Sequence, residues 1–382
     1  MSREVVVIGG GLHRYGSFPD ISVPELGKEA IQNALKDANV KWEDIEEAYC
    51  GTIGTSTIFA GHQVIAHMGR TGVAITNVEN ASASGSSAFR EAYLSIASGS
   101  CDVALAFGVD KRSNPSQKKE KEKPEQKEKK LKEKAAGESS KNIPLIAFAD
   151  MARQHMQTHG TTIDQLALVS VKSHYNASLN PYAQYQKAVT LEEVHNARMV
   201  AEPLTVLHCC PFGDGAAAVV LCAKEVAGKY TDKICPTVSA SVLRSILKDG
   251  DPSISLTRHT ADIAFKKTGT GPEDLDLIEL HDAFTIEEII FPEALGLCPE
   301  GEGGRLIEEG ITALNGKHPI NSSGGLISMG HPFGPTGIGQ IVEILWQMRR
   351  ECGKRQVAKE VKLAMAHMVG AGGVCIIHLF KK

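Results

Sequence analysis

The chain is short of aromatic residues, which fill 5% of its 382 positions, and it has no excess of positive charge: 41 Lys and Arg face 45 Asp and Glu, a formal net charge of −4. A base-stacking platform needs aromatics, and a nucleic-acid or anionic-membrane surface needs a basic surplus. Neither partner is expected. No apolar run approaches the roughly 18–20 residues of a membrane span. The opening Met-Ser-Arg-Glu-Val-Val-Val-Ile-Gly-Gly-Gly lacks the long apolar stretch and cleavage site of a secretory leader. Nine cysteines are scattered without one Cys-x-x-Cys pair, so zinc and disulfide readings both fail on spacing. Reduced thiols in a cytoplasmic protein are the expectation.

What is present is ordinary for a folded chain, 42% hydrophobic and 23% charged. At about 150 residues per domain the length predicts two or three domains. Short apolar strands at 5–8 (closed by Gly9-Gly10-Gly11), 101–109, 216–222 and 237–243 alternate with helical patterns. Ser22, with Glu25 three residues on, caps a helix reaching Ala38. Such alternation predicts a layered α/β fold. Residues 30–45 and 260–275 echo one another, each an amphipathic helix followed by an acidic pair, Glu43-Asp44 and Glu273-Asp274, and an apolar strand. The echo predicts two similar halves. Between 118 and 134 nine lysines and five glutamates surround one apolar residue, Leu131. That run reads as a solvated helix or a mobile excursion, not a buried face.

Four glycine-bordered segments carry the candidate chemistry. In the first, Asn80-Ala81-Ser82-Ala83-Ser84-Gly85 opens a helix, where backbone donors and the helix dipole favour developing negative charge. In the second, Glu279-Leu280-His281-Asp282-Ala283-Phe284 follows an apolar strand, and its His points to a crevice or serves the fold; Asp282 is then its orienting partner or a cap. The third, Asn321 to Gly337, holds His331 on a rigid Gly-His-Pro turn before a long helix, a setting that keeps imidazole neutral and suited to act as a base. In the fourth, His367 precedes Gly370, Gly372 and Gly373. Taken alone, each segment also has a plain packing explanation. Together, three histidines and a serine cluster at glycine-rich turns look like one nucleophile and acid–base site.

These segments resemble the thiolase superfamily. Asn80 to Gly85 is similar to the nucleophile segment and Gly330-His331-Pro332 to the Gly-His-Pro motif. His281-Asp282-Ala283-Phe284 resembles the His-Asp-Cys-Phe variant of the sterol-carrier and archaeal branch. Asn180-Pro181-Tyr182-Ala183 and Cys210-Pro211 through Asp214-Gly215-Ala216-Ala217 are similar to that branch as well. The resemblance implies a thiolase fold, five-layered α/β/α/β/α, built from two similar halves plus a loop domain. The corresponding boundaries are 1–111 and 196–232 for the N-terminal half, 112–195 for the loop domain with the Lys/Glu insert, and 233–382 for the C-terminal half. It also implies an acyl-CoA thioester substrate with coenzyme A, no metal or redox cofactor, and a homodimeric or tetrameric core. A separate small zinc-ribbon/OB-fold subunit is a further implied partner. Position 82 would be the nucleophile, with its amide in an oxyanion hole. His331 would be the base, sharing an oxyanion hole with the water held by His281, and His367 would be the acid/base. Residues contacting the CoA phosphates, the acyl pocket (expected between about 142 and 198) and the acyl group itself, whether short-chain, sterol side chain or aromatic such as benzoylsuccinyl, stay open.

Two departures bear on activity. The family nucleophile is cysteine and this chain has Ser82; a thiol is partly ionised near neutrality, and a serine hydroxyl is not. Position 283 is Ala where sterol-carrier thiolases have Cys. The expected activity is thiolysis of a β-ketoacyl-CoA, or the reverse Claisen condensation, inactive or slowed by Ser82. Three readings of that serine are open: an introduced substitution, a natural one in a non-catalytic acyl-CoA-binding subunit, or a site running a retro-aldol or hydrolytic reaction that needs no thiolate.

Overall fold

The computed structural model describes residues 3–53, 58–113, 143–248 and 253–382; the Lys/Glu-rich run lies outside the described residues. The first half contains β1 (Val5–Gly16), α1 (Val23–Ala38), β2 (Glu47–Gly51), α2 (Ala60–Met68), β3 (Ala74–Val78), α3 (Ser84–Ser98) and β4 (Val103–Asp110). An excursion carrying α4 (Ile143–His159), α5 (Ile163–Ser178), α6 (Leu191–His195) and the hairpin β5 (Met199–Ala201) and β6 (Leu204–Thr205) returns at β7 (Asp214–Ala223), which runs into α7 (Lys224–Ala227). The second half holds β8 (Thr237–Ser245), α8 (Ile254–Thr268), β9 (Leu277–Glu279), α9 (Glu287–Leu295), α10 (Gly303–Glu308), α11 (Phe333–Arg349), β10 (Leu363–Gly370) and β11 (Val374–Lys381).

The strands order as β3-β2-β4-β7-β1-β8-β11-β10-β9. Within the sheet, β1 and β8 join the two halves through the pair Val6↔Thr237. On the first side β1 and β7 are antiparallel, β7 and β4 antiparallel, then β2 and β3 parallel to β4. On the second side β8, β11 and β10 repeat that antiparallel run, β9 is parallel, and Ile320 adds a parallel bridge to Ile278 where β3 stands in the first half. The repeat read from 30–45 and 260–275 is therefore a repeat of topology. Single 3-10 turns, Trp42–Asp44 and Pro272–Asp274, occupy matching places before β2 and β9.

The capping box at Ser22 and Glu25 forms as expected. The strand at Val5 does not stop at the glycine triplet, however: β1 continues to Gly16. The glycines are there because α1 lies directly on the strand; a Cβ on Gly9 would stand 2.5 Å from the Ala38 Cβ, and one on Gly11 would stand 2.3 Å from the Ala34 nitrogen. One apolar core gathers β1, α1, β4, β7 and much of α11; another gathers α8, α9 and the strands of the second half. Helix α11 packs on α3, on β1, β4 and β7, and on β9 and β10. The two central helices, α3 and α11, are thus equivalent elements of the two halves, laid side by side. That placement builds the site.

Candidate active site

Ser82 stands two residues ahead of α3, and His331 two residues ahead of α11. Pairing the central helices therefore brings the two side chains together: His331 Nε2 lies 3.0 Å from Ser82 Oγ. The other ring nitrogen, Nδ1, is 2.9 Å from Thr336 Oγ1. Thr336 gives its hydroxyl proton to the Pro332 carbonyl at 2.6 Å, so it can only accept from His331. Nδ1 is then the protonated nitrogen, and Nε2 offers a lone pair to the Ser82 hydroxyl. Burial, the neighbouring His281 and Arg112 all hold His331 well below the ordinary imidazole pKa. It stays neutral and ready to accept a proton.

Glycines let the two helix starts approach this closely. A Cβ on Gly85 would come 2.4 Å from the Gly334 carbonyl oxygen, and one on Gly337 would come 2.3 Å from Ser86 Oγ. A Cβ on Gly108 of β4 would meet the same Gly334 carbonyl at 2.2 Å. The fourth motif contributes here as well, since a Cβ on Gly370 would sit 2.4 Å from the Asn80 carbonyl. Ala81, immediately before the serine, has φ +50°. A left-handed conformation costs a residue with a Cβ roughly 1–2 kcal/mol, and such strain gathers at functional turns.

His281 joins them from the end of β9. Its ring meets that of His331 edge-on at 5.6 Å. Its orienting partner is not Asp282 but Glu287, the first residue of α9: Nδ1 is 2.9 Å from Glu287 Oε1, and the other oxygen, Oε2, accepts the Phe284 amide at 2.9 Å. Nε2 of His281 is buried with no hydrogen-bond partner among the described residues. An unpaired buried nitrogen next to the base is a place for a polar group of a substrate or a water. Asp282 instead accepts the Leu326 amide at 2.6 Å and so holds the turn that carries His331; burial first, then the charge of Glu288, raise its pKa well above the carboxylate range. Asn180 braces the same turn, donating to the Ser323 carbonyl at 2.8 Å.

The structure turns His367 away from this group. Side chains alternate along β10, and Met368 is the residue that clusters with Ala83. His367 faces the outer layer, its Nε2 3.0 Å from Thr257 Oγ1 on α8 and its ring edge against Phe291 on α9. Burial, then the charge of His281, take its pKa down to about 3, and its Nδ1 is buried with no hydrogen-bond partner among the described residues. A cysteine pairs with the segment that follows His281. The Cys210 amide donates to the Ala283 carbonyl at 2.8 Å, the Thr285 amide donates to the His208 carbonyl at 3.0 Å, and Cys209 bridges Phe284. In that antiparallel register Cys210 is opposite Ala283, and opposite residues share a face. The register thus sets a cysteine across from the alanine at position 283. Burial, then Cys209, Glu287 and Asp282, push the Cys210 thiol well above its ordinary value.

Residues 5–225 match Thiolase, N-terminal domain, and residues 239–378 match Thiolase C-terminal domain-like. The chain belongs to the thiolase family. This thiolase-family chain is 38% identical, over its whole length and the whole of the relative, to an acetyl-CoA acetyltransferase of Methanothermobacter thermautotrophicus. It is 37% identical to sterol carrier protein 2 of Bos taurus, with 100% of the chain and 73% of that protein covered. In fold, the thiolase-family chain is similar to a solved Ltp2-ChsH2(DUF35) aldolase, with a TM-score of 0.81 at 22% identity over 100% of this chain and 98% of the other.

Proposed function

We propose that the protein acts on acyl-CoA thioesters as a thiolase, cleaving a β-ketoacyl-CoA with CoA or running the reverse Claisen condensation, at a rate limited by Ser82. The observation that carries this reading is the Ser82 Oγ–His331 Nε2 contact at 3.0 Å, with the tautomer set by Thr336. In cleavage, Ser82 Oγ passes its proton to Nε2 and adds to the β-carbonyl carbon. The bond to the α-carbon breaks, its electron pair forms the thioester enolate, and that enolate takes a proton. The thiol of a second CoA then displaces the acyl group from Ser82, giving its proton to the group that protonated the enolate, and His331 returns the proton to Oγ. A water held by His281 Nε2 and the Ser82 amide serve the developing oxyanions. We assign the enolate proton to Cys210, because its thiol is opposite Ala283 and remains protonated, whereas His367 is bonded on the outer face.

Serine in the place of a thiolate makes this chemistry slow but not impossible: a hydroxyl can be activated by an adjacent base. A homodimer or tetramer and a small zinc-ribbon/OB-fold subunit remain part of the reading. The fold likeness to the Ltp2-ChsH2(DUF35) aldolase supports a partner subunit. Nine free cysteines support a reducing, cytoplasmic setting.

The test is thiolysis of a β-ketoacyl-CoA panel by the chain and by Ser82→Cys, with and without a co-purifying small subunit. The expected result is a gain of roughly two or more orders of magnitude on restoring the thiol. Acyl-CoA binding without turnover by either variant would replace this reading with a binding subunit. Cleavage of a β-hydroxyacyl-CoA without free CoA would replace it with a retro-aldolase.

A further inference from the structure

Arg112 follows β4 by two residues, and its placement is tightly determined. Its amide donates to Asp214 Oδ1 at 2.7 Å, the next amide donates to the same oxygen at 2.8 Å, and the Ser113 hydroxyl bonds to the other oxygen of that carboxylate. The backbone cannot drift. The guanidinium carbon lies 4.3 Å from the centre of the Phe333 ring and 4.8 Å from that of Phe212, with those rings themselves at 73° to one another. Phe333 in turn stands 4.6 Å from the His331 ring. A cation is therefore held one aromatic ring away from the base that contacts Ser82.

Aromatic contacts hold a guanidinium by its flat faces and leave its N–H donors at the edge. Among the described residues the Arg112 guanidinium makes no hydrogen bond; its ion-pair contact is Nε to Asp110 Oδ2 at 3.9 Å, too long to use a donor. That carboxylate is already engaged by the Phe333 amide at 3.2 Å. The side chain keeps about a third of its surface open. A planar fork of free donors beside a reaction centre has the geometry of a carboxylate receptor.

We infer that Arg112 is an anion subsite for the acyl end of the substrate, and that the preferred acyl-CoA thioesters carry a second carboxylate on the acyl chain. The inference rests on the acyl-CoA reading above. The reacting carbonyl must stand at Ser82, and the CoA phosphates lie a whole pantetheine arm from it. An anion one ring away from His331 therefore belongs to a short acyl chain and not to the nucleotide.

Titration calorimetry with CoA, valeryl-CoA and glutaryl-CoA tests it, since the two acyl groups match in length and differ in the terminal carboxylate. The wild-type chain is expected to bind glutaryl-CoA on the order of tenfold to a hundredfold more tightly than valeryl-CoA. Arg112→Met should erase that preference and leave valeryl-CoA unchanged; Arg112→Lys, which keeps the charge and loses the fork, should keep only part of it. No preference in the wild type overturns the inference. So does an equal loss of all three ligands in Arg112→Met, which would assign the residue to CoA's own phosphates. If valeryl-CoA binds no better than CoA, the acyl-CoA reading itself falls and the inference with it.

Discussion

Thr336 decides which nitrogen of His331 carries the proton. The threonine hydroxyl is committed to the Pro332 carbonyl at 2.6 Å, so its oxygen accepts from Nδ1 at 2.9 Å and Nε2 is left bare toward Ser82. The hydroxyl works through the first turn of α11 and does not touch a substrate: it positions the base. Thr336→Val keeps the shape and removes the acceptor. On the Ser82→Cys background kcat/KM is expected to fall by roughly one to two orders of magnitude, the range of a lost acid–base contribution, with Tm little changed. Thr336→Ser should recover most of the loss, and rescue by serine but not by valine is the result that separates positioning from packing.

Glu287 orients His281 and also receives the Phe284 amide. Glu287→Ala leaves both donors buried and unpaired, a penalty of about 1–3 kcal/mol each. A lower Tm together with a lower kcat is expected. Glu287→Gln keeps one acceptor and should hold Tm closer to wild type while still lowering kcat, because a neutral amide oxygen accepts from His281 Nδ1 more weakly than a carboxylate and fixes the ring less firmly. Kinetics and calorimetry on the same two variants check both halves.

A buried carboxyl network under the site sets a pH dependence of stability. Ser322 Oγ lies 2.9 Å from Glu279 Oε1 and 3.1 Å from Glu343 Oε1, yet one hydroxyl carries one proton. Arg355 pairs with Glu343 at 3.0 Å, so Ser322 donates to Glu343 and Glu279 supplies the remaining proton. Burial, then the charge of Glu343, raise the Glu279 pKa from 4.5 to about 8. Between those values the native state holds a proton that the unfolded state has released. Stability from this group is therefore full below about pH 4.5 and is lost as pH rises toward 8, with a slope on the order of 1 kcal/mol per pH unit. Glu279→Gln should flatten that slope in denaturant melts between about pH 5 and pH 8; an unchanged slope would place the proton elsewhere.

Much of this was legible in the sequence because it was local. The Ser22 cap, the strand–helix alternation, the acidic pairs at Glu43 and Glu273, and the Gly-His-Pro turn all lie within a few residues of their cause. The meeting of Ser82 with His331 has no local cause: the shared glycine-rich setting groups the two residues into one site and the resemblance pairs them, but the contact spans the two halves and depends on Gly85 and Gly334 passing at backbone distance. Glu287 was invisible as a partner of His281: it opens a helix six residues away, and the nearer Asp282 fitted the role on spacing alone. His367 misled because its neighbouring glycines suggested a turn, whereas residues 363–370 are strand and alternation sends its ring outward. Cys210 enters the sequence reading only through similarity, because its pairing with Ala283 is set by register between segments far apart in the chain and leaves no trace in either.

That register gives the sharpest contrast between the expected and the proposed acid/base. If Cys210 protonates the enolate, Cys210→Ala on the Ser82→Cys background should lower kcat for cleavage by roughly two orders of magnitude, within the span of a lost general acid. Acyl transfer to CoA from the thiol of the Ser82→Cys variant, followed as single-turnover release of a preformed acyl-enzyme, should fall far less, because that step makes no carbanion and needs Cys210 only to take the proton of the CoA thiol, which solvent can also receive. His367→Asn removes a hydrogen bond to Thr257 buried between β10 and α8; its cost is expected as a lower Tm, with both steps of turnover retained below the melt. The opposite pattern, His367→Asn abolishing cleavage and Cys210→Ala sparing it, would return the proton to His367 and require its ring to swing across β10 during turnover. Proton exchange at the α-carbon of an acyl-CoA in deuterated buffer reads the same step without the C–C bond change. It should vanish with Cys210 and persist without His367.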